Sequence, residues 1–241
     1  MQRPLKDILR LLALRIRRIR LLLSARPNND LSRKQQLLLE IGWNFRCSVF
    51  VETGTYLGDT VEILRHHFDM VFSIELHRKL YELNKKRFQG KGNVSLWLGD
   101  SGRLMSEVLQ IVPTGRILFW LDAHYSGSGT AAEGRECPVL AELTAIAAHQ
   151  RKDHCIVIDD AHMFGNHTDY PTSEQVQEML LNVNPAFHVV IKNEIMVALP
   201  PETNPLQKFH QFMTKTHAVY CTGDNHVSFF SGTGQNQRMV L

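Results

Sequence analysis

The sequence is poor in the features that would settle its class cheaply. It has four cysteines in 241 residues, Cys47, Cys137, Cys155 and Cys221, and no two of them form a C-x-x-C pair. That excludes a thiolate zinc site and points to a reducing compartment. Cys47 and Cys155 open apolar runs, where a free thiol behaves as a small hydrophobe. No internal repeat is present. No long apolar run is present either: arginines interrupt every apolar stretch of residues 1–26, so that segment is too charged to span a bilayer. It also lacks the unbroken apolar centre and small-residue cleavage site of a secretory signal. The expected location is cytoplasmic.

Charge of one sign is scarce overall but concentrated locally. Residues 1–34 carry ten Lys/Arg and two Asp, a local +8, so the remainder must carry −5 to reach the overall +3. A mildly acidic body argues against a nucleic-acid partner. In the basic segment Leu5, Leu9, Leu12, Ile16, Ile19 and Leu23 fall on one helical face, with Arg3, Arg10 and Arg17 roughly opposite. Such a helix suits an anionic membrane surface, a protein partner or second subunit, or a fold-back onto the body. The organisation expected is a basic amphipathic helix and linker over 1–30, one domain over 31–200, and an extension over 201–241 packed on or trailing from it. Nothing excludes a homo-oligomer.

After a short helix at Leu31–Ile41, apolar β-rich runs alternate with helical stretches. The expected strands are Ser48–Val51, Met70–Ile74, Val94–Leu98, Arg116–Leu121 and His154–Ile158. Helices are expected near Asp59–His67, Arg78–Phe88, Arg103–Ile111, Val139–His149 and Ser173–Leu181. Continuous apolar strands separated by helices imply a parallel sheet covered on both faces. His188–Ile191 and Ile195–Leu199 read as a terminal antiparallel hairpin, and Val227–Phe230 as one further strand. The fold class is α/β: a Rossmann-like, doubly wound sheet of about seven strands.

In such sheets ligands bind beyond the carboxyl ends of the strands. The first strand-to-helix turn is Glu52-Thr53-Gly54-Thr55-Tyr56-Leu57-Gly58. Tyr56 stands where a dinucleotide fingerprint needs its middle glycine. Glu52 also disfavours a phosphate beside the turn and favours a cation such as a sulfonium. Glu75 closes the second apolar run 21 residues after Gly54, where an acid grips ribose hydroxyls. The third run ends in Asp100-Ser101, where an adenine edge would lie. On these residues the chain resembles the class I S-adenosylmethionine-dependent methyltransferases over roughly residues 45–200. The resemblance implies S-adenosyl-L-methionine as cofactor, held by Glu52, Gly54, Thr55, Tyr56, Gly58, Glu75, Asp100, Ser101 and Asp122.

Two further runs end alike, in Asp122-Ala123-His124 and in Asp159-Asp160-Ala161-His162. Adjacent strand ends would gather three carboxylates, which repel one another unless a cation neutralises them. A hard divalent ion, Mg²⁺ or Mn²⁺, on Asp122, Asp159 and Asp160 is the expectation. The pattern resembles that of the cation-dependent O-methyltransferases and, more loosely, of the macrolide-sugar (macrocin-type) O-methyltransferases. That resemblance implies transfer to a hydroxylated small molecule or sugar. The catechol-type enzymes carry a lysine base three residues beyond the first metal acid. Tyr125 stands there instead, so His124 is the expected base and His162 the second candidate. The Gly-rich stretch Ala123 to Pro138 reads as a substrate lid, with Phe164 to Pro171 as the opposite wall. Two rivals stand beside this reading: a metal-dependent hydrolase of the arginase/deacetylase type, suggested by the Asp-Ala-His fragments, and a nucleoside-binding module without turnover.

Overall fold

The structure, a computed structural model, describes residues 31–122, 137–192 and 194–201, together with the strand backbone of 227–230 and 236–239. The basic segment 1–26 lies outside the described residues, as do His124, the glycines of the expected lid and most of 201–241.

Chain order is α1 (Arg33–Asn44), β1 (Val49–Thr53), α2 (Asp59–Leu64), β2 (Met70–Glu75), α3 (Arg78–Arg87), β3 (Val94–Leu98), α4 (Ser101–Ile111), β4 (Ile117–Leu121), α5 (Val139–Ala148), β5 (Cys155–Ile158), α6 (Ser173–Val183), β6 (His188–Lys192), β7 (Ile195–Leu199), β8 (Val227–Phe230) and β9 (Asn236–Met239). The strands form one sheet in the order β3-β2-β1-β4-β5-β7-β6-β8-β9. The first five pair in parallel; β7 runs antiparallel to both β5 and β6, and β8 and β9 extend the β6 edge. The expected parallel strands, the hairpin and the further strand at Val227–Phe230 are present, and β9 is added beyond them.

Alternation along β4 builds both layers. Ile117, Phe119 and Leu121 face one core, with α4, α5 and α6; Leu118 and Trp120 face the other, with α1, α2 and α3. All five are buried. A continuous apolar run is what a strand needs when neither face meets water.

Strand β1 continues two residues beyond the expected Val51, because the buried Glu52 finds a partner across the ladder. Glu52 pairs in register with Ser73, whose hydroxyl donates to its carboxylate at 2.7 Å. Helix α2 stops at Leu64, short of the expected His67. The Asn93 side chain donates to the Arg65 carbonyl at 2.7 Å, taking up a helix-end acceptor that a further turn would have used.

Helix α1 is closed at its start by a capping box between Ser32 and Gln35. It buries Leu37, Leu38, Leu39 and Ile41 on the sheet. A short connection returns the chain to β1, so α1 runs against the strands. From Lys34 to Asn44 the helix rises about 15 Å, roughly the span of one strand. Its first turn therefore stands at the strands' carboxyl edge.

Gly58 precedes α2 at φ +82°, and a Cβ there would lie 2.2 Å from Asn84 Oδ1 and 2.8 Å from the Phe88 ring. Gly90, at φ +74°, has open space around it. Gly90→Ala is expected to cost about 1 kcal/mol, for the left-handed backbone alone. Gly58→Ala is expected to cost on the order of 2 kcal/mol or more, backbone plus displaced neighbours. Urea unfolding of both variants checks the difference.

Candidate functional site

Register places the strand tips side by side. Thr53 pairs with Leu121, and Leu121 with Ile158. The residues that follow, Asp122 and Asp159, therefore leave the sheet together. The Asp122 amide donates to the Thr53 carbonyl and hydroxyl, both at 3.2 Å, and the Asp159 amide donates to the Leu121 carbonyl at 3.0 Å. Strand order reverses between β1 and β4, the position at which open α/β sheets bind ligands.

On the β1–β3 side the expected residues converge on the glycine turn. Gly54 (φ 82°), Tyr56 (φ 48°) and Gly58 (φ 82°) all take left-handed conformations. Glu75 accepts from the Tyr56 amide at 2.9 Å and from the His77 amide at 2.7 Å, one bond on each carboxylate oxygen. The acid at the end of β2 thus pins the turn after β1, while each oxygen retains a lone pair. Tyr56 is 58% exposed, so its ring stands in solvent at the rim. Its carbonyl accepts from the Asn84 side chain at 2.6 Å. The close approach that Gly58 permits is to Asn84 of α3 and to Phe88, which ends that helix.

Glu52 lies deeper. It is 2% exposed, and Ser73, whose hydroxyl donates to it, also shares a 2.6 Å hydrogen bond with Thr55. Burial pushes its carboxyl well above the usual range, the Ser73 bond opposes this, and the charges of Asp122 and Glu75 add to it. Asp100 caps α4, accepting from the Arg103 amide at 3.3 Å, and Ser101 is buried beside it.

On the β4–β5 side Asp122 and Asp159 follow paired strand tips, and Asp160 comes next in the chain. Asp122 is pushed up to about 8, first by burial and then by the charge of Asp159, with Asp160 adding; Lys34 and the Trp120 indole pull it back. Asp160 sits at φ 52°, a conformation Asp tolerates, and donates its amide to Asp159 Oδ1 at 2.9 Å. A 3-10 turn, Ala161–Met163, follows, and His162 on it is exposed.

Two contributors were not read from the sequence. The first is Lys34, whose Nζ lies 2.6 Å from Asp159 Oδ2. Burial lowers its pKa, but the Asp159 bond and the charges of Asp159, Asp122 and Asp160 outweigh that, and the net direction is upward. The signal available was a lysine in the first turn of a helix, where the macrodipole disfavours a cation unless an acid lies opposite.

The second is Glu142, buried in the first turn of α5. Burial pushes it up to about 7, against hydrogen bonds from Ser101 and Thr53, with the charge of Asp100 adding. Its Oε1 has no hydrogen-bond partner among the described residues. A lone carboxylate in "VLAELTAIAA" was the visible signal.

The expected divalent ion does not suit this arrangement. Among the described residues no three His, Cys, Asp or Glu side chains are grouped to hold a metal ion. Of the Asp159 oxygens, one receives the Lys34 ammonium and the other an amide proton. Loop Phe164 to Pro171, expected as a wall, closes on itself through Gly165 N to Pro171 O at 3.0 Å and is tied to Cys137 through the Asp169 carbonyl at 2.8 Å.

Glu142 gives a pH test. An acid held above its unfolded value keeps its proton in the folded chain after the unfolded chain has lost it. Its stabilising contribution is full below about 4.5 and is lost as pH rises to about 7. Glu142→Gln is expected to remove this slope, on the order of a few kcal/mol between those limits. Urea midpoints of both proteins from acid to pH 8 measure it; parallel curves would refute the assignment.

No family model and no curated protein matches the chain. Among solved structures it is similar to an O-methyltransferase from Bacillus cereus in complex with SAH, at 13% identity, covering 77% of this chain and 90% of that one with a TM-score of 0.52. It is also similar to the O-methyltransferase TomG from Streptomyces achromogenes, involved in tomaymycin synthesis and in complex with SAM. There the identity is 17%, the coverage 79% of this chain and 90% of that one, and the TM-score 0.51. At such identities the likeness is one of fold.

Proposed function

From a class I SAM-dependent methyltransferase fold, we propose that the chain is an S-adenosylmethionine-dependent methyltransferase acting on a hydroxyl of a small molecule or sugar. The observation that carries this reading is the acid-pinned turn. Glu75 holds the loop Gly54 to Gly58 through the Tyr56 amide, its other oxygen accepting from the His77 amide, beside the switch point of the sheet. The donor set suits the cofactor: Glu75 and Asp100, at the tips of β2 and β3, offer acceptors that match a diol and disfavour a phosphate, with Glu52 buried at the tip of β1.

In this reading Glu75 receives the ribose hydroxyls on its remaining lone pairs. Gly54 and Thr55 present backbone to the ligand, with Tyr56 at the rim. Asp100 and Ser101 edge the base, and Asp122 faces the amino-acid end. Glu52 acts from beneath, through Ser73 and Thr55. S-adenosylmethionine, once bound, supplies a methyl group activated by a sulfonium. The protein's task is alignment of an acceptor oxygen and removal of its proton. His124 was the expected base and lies outside the described residues; His162 is exposed on its turn. Asp122, pushed up to about 8 at the tip of β4, is the group proposed to exchange a proton there. No step is assigned to a divalent ion, because Lys34 already faces the aspartates.

Calorimetry of the full chain with S-adenosylhomocysteine tests this directly. Micromolar binding is expected, and Glu75→Gln should weaken it about tenfold to a hundredfold, the scale of one or two charge-assisted hydrogen bonds. Absence of binding by the unaltered chain would overturn the reading. Binding without methyl transfer to any hydroxylated acceptor would leave a nucleoside-binding module.

A further inference from the structure

We propose that Lys34 is the resident cation of the acidic cluster, its ammonium supplying the positive charge that the sequence pattern assigned to a divalent ion and presenting donors to the acceptor's oxygens. Two independent observations carry this. The first is contact: Nζ lies 2.6 Å from the Asp159 carboxylate, whose side chain is 4% exposed, and Lys34 also feels the charges of Asp122 and Asp160. A buried carboxylate in this position must be matched by a positive charge or take up a proton.

The second is placement. Lys34 stands in the first turn of α1, which contains no acidic residue, at the helix end whose dipole repels a cation. The apolar face of α1 and its Ser32–Gln35 capping box fix that turn at the strand tips. The unfavourable position is offset by a partner 125 residues away in sequence.

An ammonium has three donors. Among the described residues Asp159 takes one, and the Lys34 side chain is 41% exposed. An ammonium so exposed can donate to hydroxyl oxygens entering the crevice. The class of acceptor this suits is a neutral or anionic polyol rather than a cationic amine. Calling those oxygens the acceptor's rests on the methyltransferase reading; the ammonium's hold on the cation position does not. Lys34 is in this sense a positioning residue.

The test is calorimetry of the full chain with MnCl₂, run beside the S-adenosylhomocysteine titration. The unaltered protein should show no saturable Mn²⁺ binding. Lys34→Gln removes the ammonium from Asp159 and should gain Mn²⁺ affinity by about tenfold or more. Lys34→Gln combined with Asp159→Asn should lose that gain, and Lys34→Arg, which keeps the charge, should not acquire it. Mn²⁺ binding by the unaltered chain that Asp159→Asn abolishes would overturn the proposal. So would a folded Lys34→Gln variant that gains nothing, or a Lys34→Arg variant that gains as much as Gln. If Lys34→Gln does not fold, the unaltered chain and Lys34→Arg still decide. Failure of S-adenosylhomocysteine to bind would sink the methyltransferase reading and leave the Mn²⁺ result standing.

Discussion

Crowded negative charge at one edge of a sheet is the constraint around which this molecule is arranged. Parallel pairing of β1 to β5 delivers Glu52, Glu75, Asp100, Asp122, Asp159 and Asp160 to neighbouring strand ends, and Glu142 approaches from α5. Each is accommodated differently. Glu75 is held by two amides, Asp100 by a helix N-terminus, and Asp159 by an ammonium and an amide. Glu52, Asp122 and Glu142 are pushed toward their protonated forms, burial being the largest cause in each. The surface that results offers acceptors at the β1–β3 tips and mixed donors and acceptors at the β4–β5 tips. Under the proposed reading, a diol-bearing cation and a hydroxylated acceptor would meet complementary chemistry on its two sides.

The two layers of the core hold this edge in register. Because β4 is buried on both faces, its position between β1 and β5 leaves little room to slip. A one-residue shift would also turn Phe119 and Trp120 to the wrong layers. The tips depend on packing well below them, and the left-handed turn at Gly58 ties α2 to α3 on the flank.

Much of this was legible in the residues. Apolar runs that close on an acid mark strand ends whatever the tertiary context, so Glu75, Asp100, Asp122 and Asp159 were placed from pattern alone. The hairpin at His188–Leu199 was equally plain. From the sequence Glu52 and Thr53 read as loop residues; the cross-strand partner Ser73 keeps Glu52 in the ladder. Strand β9, with the sequence Asn-Gln-Arg-Met, shows no alternation of apolar and polar residues and gave no signal. Lys34 was missed for a different reason. Local pattern says which residues form a helix, but which acid a helix end will meet is set by how its apolar face docks. The same gap produced the expectation of a metal ion: the acids could be counted in the sequence, and their counter-charge could not.

The sheet does not end at β6. Three ladder pairs join β6 to β8, and β9 pairs beyond it. A chain cut after Pro201 would keep every residue discussed at the crevice yet leave a row of unpaired amides and carbonyls along β6, a template for another strand. Recombinant fragments designed by trimming to the Rossmann-like core would then tend toward edge-to-edge association in storage, and boundaries that retain residues 227–239 are the sounder choice for crystallisation.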